Sequence, residues 1–366
     1  MYFHGTLFLR SIHLTHFKNH GEKSFDFSRK VNCFIGPNGS GKTNILDAIH
    51  YICLTKSYFN ATDQQNIRFG ADFMRLEADV TVSEQPYHIV CRLPAGKKKD
   101  FTVNDLTYRK MSDHIGLMPV VMIAPDDGLL ITGNSDERRK FIDNTISQTD
   151  REYLEHLVLY NKYLDQRNAL LKSINTGGSR DDLLLESYND SLVRHGESIY
   201  ARRKQALMEL GPIFGRYHRL VCLEREAASF AYDSTLNVSP LADQLRDNMP
   251  RQIMMERTLA GPHRDDISFM LGDTRSKRFG SQGQQKSFLI ALKLAQYQFI
   301  REHKTFKPFL LIDDIFDKID GERSRQLVQL LSGDDFGQIF ITDTEEKHIT
   351  DELGTKAGLF DIYKIS

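Results

Sequence analysis

One octapeptide constrains this chain more than any other feature. Gly36-Pro37-Asn38-Gly39-Ser40-Gly41-Lys42-Thr43 fits the phosphate-binding pattern GxxxxGK[ST] at every fixed position. The apolar run Val31-Asn32-Cys33-Phe34-Ile35 precedes it, and Ile45, Leu46, Ala48, Ile49 and Ile52 follow at helical spacing. The motif needs that order of strand, loop and helix. Glycines let successive backbone N–H groups turn inward around a β-phosphate, where a Cβ would obstruct them, and the helix N-terminus adds partial positive charge. Lys42 is expected to reach the β- and γ-phosphates as a point charge, and the Thr43 hydroxyl to ligate Mg²⁺. The expectation is bound ATP or GTP, cradled by Gly36 through Thr43.

A second constraint lies far downstream, where Phe309-Leu310-Leu311-Ile312 runs into Asp313-Asp314. Four apolar residues in a row suit a central parallel strand buried on both faces. In phosphate-loop enzymes the acid ending such a strand holds the Mg²⁺ shell, so Asp313 takes that role. The next carboxylate can orient or deprotonate the attacking water, which makes Asp314 the candidate general base. About 270 residues separate Lys42 from Asp313, far more than a compact kinase or small GTPase needs. Something is inserted between the halves of the site.

The pattern along the chain suggests what that insertion is. The first 125 or so residues alternate at period two around one helix, with a hairpin turn over Pro94 to Thr102. From about Asp136 to Leu210 the apolar spacing becomes helical, in two stretches of about 25 residues joined by the turn-forming Asn175 to Arg180. An antiparallel helical hairpin follows, and its polar seam residues Asn161, Asn168 and His195 suit a projecting arm better than a deep core. Residues from Ser229 onward return to mixed α/β. The expected division is 1–125 for the first part of the head, 126–228 for the helical arm and 229–366 for the second part of the head.

Composition narrows the classes further. The 366 residues carry 48 Lys+Arg against 49 Asp+Glu, a net charge of -1. Nucleic-acid binding must then come from local patches such as Lys97-Lys98-Lys99, Arg109-Lys110, Arg138-Arg139-Lys140 and Arg202-Arg203-Lys204. No helix-turn-helix, zinc finger or RNA-binding aromatic motif accompanies them, so contact with backbone phosphates without base readout is expected. Four widely spaced cysteines argue against a disulfide framework or a zinc site. No apolar run is long enough to span a bilayer, and Met1 to Arg10 lacks the order of a signal peptide, so a cytoplasmic protein is expected.

A third motif, Gly280-Ser281-Gln282-Gly283-Gln284, opens a helical pattern about 30 residues before Asp313. It resembles the LSGGQ element of ABC-type ATPases, with Gly280 in place of Leu and Gln282 in place of the first Gly. A serine hydroxyl and free N–H groups at a helix N-terminus can receive a γ-phosphate. With all three motifs in place, almost the whole chain resembles the RecF family of SMC-like ABC ATPases. Leu14 to Asn19, Gly36 to Phe59, Arg138 to Asp143, Gly261-Pro262-His263-Arg264-Asp265-Asp266, Ser281 to Lys286 and Asp317 to Asp320 carry the resemblance.

The resemblance implies an α/β ABC-type ATPase head with a β-rich lobe and an inserted helical arm. It implies a DNA-stimulated ATPase of recombinational repair and fork restart, with ATP and Mg²⁺ as cofactors. Ser281, Gly283 and Gln284 would serve the nucleotide of a second copy, so that ATP binding dimerises the chain. Duplex DNA and single-strand/duplex junctions are the implied substrate, with RecO and RecR as partners in loading recombinase at gaps. Two departures from the broader ABC pattern point to slow turnover: Asp314 stands where Glu is usual, and Thr342 where His is usual. The residue of the Q-loop is Gln64 or Gln65. The alternatives are the ATPase subunit of a membrane transporter, against which the long insertion weighs, and a kinase, which has no use for SQGQ.

Overall fold

The computed structural model describes residues 5–222, 228–271, 274–275, 282–314, 321–331, 333–344 and 360–365. The chain divides into two compact units. The first takes Met1–Gly128, Arg216–Arg225 and Gly280–Ser366; the second takes Leu129–Gly215 and Glu226–Phe279.

The first unit holds two sheets. Strands β1 (Leu7–Phe17), β2 (His20–Asp26), β4 (Phe73–Val82), β5 (Gln85–Pro94), β6 (Asp100–Val103) and β7 (Leu106–Thr107) make an antiparallel sheet in the order β2-β1-β4-β5-β6-β7. Along β4, buried and half-buried residues alternate one by one, as a sheet with one covered face requires. Strands β3 (Val31–Ile35), β8 (Val120–Ile123), β12 (Phe309–Asp313), β13 (Ile339–Asp343) and β14 (Phe360–Lys364) make a parallel sheet in the order β14-β3-β13-β12-β8. Every residue of β3, β8, β12 and β13 is buried, which explains why their sequences are largely apolar, with polar Asn32 inside β3 and Asp313, Thr342 and Asp343 at the strand ends. Helix α1 (Lys42–Leu54) packs against strands of both sheets and is buried almost all round. Helices α8 (Gln282–His303) and α9 (Gly321–Leu331) also belong to this unit. Cys33, Cys53 and Cys91 are free and buried, and burial pushes the Cys33 and Cys91 thiols up to about 12.

The second unit contains α2 (Leu129–Thr132), α3 (Ser135–Ser147), α4 (Arg151–Asn175), most of α5 (Asp182–Cys222), α6 (Leu241–Asp247) and α7 (Met249–Met254). A small antiparallel sheet of β9 (Ala228–Asp233), β10 (Asp266–Leu271) and β11 (Thr274–Arg275) joins them. Helix α4 starts and stops where its periodicity indicates, with Asp150 accepting from the Tyr153 amide as its N-cap. Helix α5 does not stop at Leu210. It runs through Pro212 for 41 residues, because Leu210, Ile213, Phe214, Tyr217 and Val221 continue one buried stripe past the proline.

One expected boundary changes here: residues 226–279 group with the helices rather than with the second part of the head. Within this unit the helical hairpin is bonded to residues of 252–266. Arg138 on α3 makes a bidentate pair with Asp266 at 2.7 and 3.0 Å, and Arg203 on α5 pairs with Asp265 at 3.4 Å. Buried Arg167 on α4 donates to Gln252 at 2.8 Å and to Thr258 at 2.7 Å. The polar seam has partners: Asn168 accepts from the Thr258 amide and hydroxyl, and His195 meets His156 at 2.9 Å. Asn168 and His195 are thus hydrogen-bonded, Asn168 to Thr258 and His195 within the hairpin, while Asn161 is exposed.

Candidate functional site

Parallel pairing sets the geometry of the site. Thr342 on β13 lies level with Asp313 on β12 and with Phe34 on β3, so the carboxyl ends of three adjacent strands finish together. Ligands of open α/β sheets bind outside such ends. The loop after β3 turns directly into α1, whose N-cap Gly41 has φ 100° and whose first turn carries no acidic residue. A Cβ on Gly41 would stand 2.6 Å from His20, and one on Gly36 would stand 2.1 Å from the Ile365 carbonyl, so both positions need glycine.

Lys42 is buried and donates to the Gly36 and Pro37 carbonyls at 2.8 and 3.0 Å, which folds its ammonium across the loop. The Ser40 hydroxyl is buried without a hydrogen-bond partner among the described residues. A phosphate oxygen would accept from it, so these side chains fit a phosphate group. The Thr43 hydroxyl donates to Asp313 Oδ1 at 2.8 Å, bridging 270 positions of sequence. Burial pushes the Asp313 carboxyl up, against the opposing hydrogen bonds from Thr342 and Thr43. A hydroxyl and a carboxylate at this separation are the donor set Mg²⁺ takes beside phosphates.

Asp314 follows in the left-handed region, at φ 42°. Its amide donates to the Thr342 hydroxyl at 3.0 Å, and its carbonyl accepts from Lys286 on α8 at 3.4 Å. The first turn of α8, with Gly283, immediately precedes Lys286, whose side chain reaches the end of β12. Gln284 belongs to the same turn, but its side chain, like Ser281 and the Asp317 to Asp320 segment, lies outside the described residues. Neither glutamine of the Q-loop expectation bonds to the phosphate loop. Gln64 binds the turn after β5, through Pro94, Gly96 and Lys97, and Gln65 caps Thr62.

Two residues at the loop are not evident from the motifs. The Asn19 amide donates to the Gly39 carbonyl at 3.4 Å and accepts from Asn44 at 2.7 Å. Buried His20 meets the Gly41 carbonyl at 3.1 Å, and burial holds its pKa below the ordinary histidine value. Asn19 ends the Leu14 to Asn19 stretch that carries the resemblance, while the one signal for His20 is the polar Lys18-Asn19-His20 turn between two alternating strands. Lys18 itself is held by Asp47 of α1 at 2.6 Å.

The basic clusters separate into two kinds. Arg138 pairs with Asp266, Arg139 with Asp136, Lys140 with Glu137, Arg202 with Asp150, and Arg203 with Asp143 and Asp265. Lys99 is taken up by Asp63 at 3.0 Å. Lys97 and Lys98 stand exposed, and no ion pair engages them among the described residues.

The chain resembles known proteins over nearly its full length. Residues 8–360 match the family model described as "RecF/RecN/SMC N terminal domain". A "DNA replication and repair protein RecF" of Flavobacterium johnsoniae is 44% identical over 336 residues, covering 92% of this chain and 94% of that one. One of Bacteroides fragilis is 41% identical over 353 residues, covering 96% and 94%. The solved structure of "the recombination mediator protein RecF-ATP in RecFOR pathway" superposes with a TM-score of 0.86 at 26% identity, covering 94% of this chain and 93% of that one. The chain belongs to the RecF family of DNA replication and repair proteins, within the RecF/RecN/SMC group.

Proposed function

We propose that this chain is an ATP-gated DNA-binding protein of recombinational repair. Gly36 through Thr43 cradle ATP, Lys42 neutralises its β- and γ-phosphates, Thr43 and Asp313 hold Mg²⁺, and Asp314 activates the attacking water. The observation that carries this reading is the 2.8 Å contact between Thr43 and Asp313, which joins two motifs 270 positions apart into one acidic, hydroxyl-lined site next to a phosphate loop. The RecF-ATP structure supports ATP as the nucleotide. Bound Mg²⁺ would supply charge neutralisation across the phosphates; the protein side chains position them and exclude bulk water.

Turnover is slow in this reading, because the base is the short Asp314 and Thr342 carries no titratable proton. Ser281, Gly283 and Gln284 act on ATP held by a second copy, so the nucleotide forms part of a homodimer interface. DNA is held through backbone phosphates, at duplex and single-strand/duplex junctions, without base sequence preference, and RecO and RecR are the partners. A transporter subunit is not favoured, since the similar chains are named as DNA replication and repair proteins.

Light scattering and DNA dissociation rates, measured with ATP, test the proposal. Ser281→Arg is expected to bind ATP as a monomer and to lose ATP-dependent DNA retention. Asp314→Asn is expected to dimerise and persist on DNA. Normal dimerisation of the serine variant, or wild-type release by the aspartate variant, would sink the shared-nucleotide mechanism.

A further inference from the structure

Phe69 is fully exposed at the head of a well-anchored turn. The Arg68 amide donates to the His16 carbonyl at 2.8 Å, the Ala71 amide to the Arg68 carbonyl at 3.0 Å, and Ile67 bridges to Phe17. Gly70, at φ 81°, lets the chain reverse there. A single exposed apolar residue is ordinary, but this ring is held out by an anchored turn and so is free to stack on a flat ligand.

The surroundings bear on what such a ring would meet. The Ala95 amide donates to the Asp72 carbonyl at 2.8 Å, so the Phe69 turn abuts the turn carrying Lys97 and Lys98. Gln64 locks the same junction, donating to Lys97 at 2.9 Å and accepting from Gly96 at 2.9 Å. Lys99 anchors its base through Asp63. Arg68, Lys97 and Lys98 are exposed, and no ion pair engages their side chains among the described residues. One bare aromatic ring, next to Arg68 in sequence and on a turn hydrogen-bonded to the base of the Lys97-Lys98 turn, matches a polyanion that also offers flat apolar faces. An unpaired nucleic-acid base with its flanking phosphates has that chemistry: the cations take the phosphates and the ring takes the base.

We infer that Phe69 is a stacking platform for an unpaired base of bound nucleic acid, with Arg68, Lys97 and Lys98 holding the adjacent phosphates. The inference rests on the proposed DNA binding and adds to it a means of distinguishing unpaired from paired strands. Neither residue 69 nor the turn around it takes part in the phosphate loop.

Affinities of the full-length protein for a fluorescent duplex, and for the same duplex with a short single-stranded gap, test it. Phe69→Ala is expected to lose about tenfold on the gapped DNA, with unchanged affinity for the duplex and for ATP. Phe69→Trp is expected to retain the wild-type preference. Equal affinity of the alanine variant and wild type for gapped DNA, or equal losses on both DNAs, would overturn the stacking role alone. Weaker ATP binding by the alanine variant would also overturn it, by placing the ring against the nucleotide. Failure of wild type to bind either DNA would overturn the DNA-binding reading as well.

Discussion

The Thr342 hydroxyl donates to Asp313 Oδ1 at 2.7 Å and accepts the Asp314 amide at 3.0 Å. One side chain on the neighbouring strand thereby aims both acids of the candidate site. Thr342→Val keeps the shape and removes both bonds. It leaves a buried carboxylate short of a donor, so a stability loss of about 1–3 kcal/mol is expected in chemical denaturation. Mg²⁺-dependent ATP hydrolysis is expected to fall as well. A variant with wild-type stability and turnover would show that Thr342 positions nothing.

Asp314→Asn isolates the chemistry from the backbone. Asp314 sits at φ 42°, a conformation that asparagine tolerates as well as aspartate does. The substitution therefore removes the candidate base without straining the turn. Steady-state phosphate release is expected to drop by about 10²–10⁴-fold with ATP affinity preserved. Unchanged turnover would assign the water-activating role to another group.

The basic clusters give opposite expectations for similar sequences. Lys97→Glu with Lys98→Glu should weaken DNA binding uniformly across sequences and shallow its salt slope, by roughly 0.9 per lost phosphate contact. Stability should be unaffected. Arg203→Ala strands Asp143 and Asp265, two acids it bonds inside the second unit. A loss of about 3–5 kcal/mol is expected on melting or denaturant unfolding. The reverse pattern would mean that the cations have been sorted incorrectly.

Acid should loosen the first unit. His50 and His114 are buried and donate a ring N–H to the Lys56 and Ile52 carbonyls respectively; burial lowers both to about 4. The unfolded chain protonates these rings near the ordinary value of about 6.5. Their contribution is therefore complete above about pH 6.5 and is lost as the pH falls toward 4, on the order of 3 kcal/mol for each ring. Denaturant midpoints at pH 7.5 and pH 5 measure it. His114→Gln should flatten the difference; a midpoint independent of pH would refute the assignment.

The parts legible in the sequence were those set by local rules. Val31–Ile35, Asn32 apart, and Phe309–Ile312 are apolar on both faces because they are central parallel strands, and β4 alternates because one face is covered. The loop glycines and Asp313 announce themselves for the same reason: few residue types satisfy a phosphate or a buried strand end. What was not legible depends on contacts distant in sequence. The grouping of 226–279 with the helices comes from Arg138–Asp266 and Arg167–Thr258, pairs that no periodicity reveals. Pro212 resembles a helix end, yet the apolar stripe through Phe214 and Tyr217 overrides it. Clustered arginines look alike on paper, whether they face solvent or, like Arg203, sit buried between carboxylates. Asn19 and His20 touch the phosphate loop only because β1 and β2 bring their turn there.

A calorimetric titration of ATP with Mg²⁺ into wild type and Lys42→Ala tests the central claim most directly, that Gly36 through Thr43 and Asp313 form one nucleotide site. Removing the ammonium that crosses the loop is expected to weaken ATP binding by at least about 100-fold, with the fold preserved by circular dichroism. Near-normal ATP affinity in the folded variant would contradict the account.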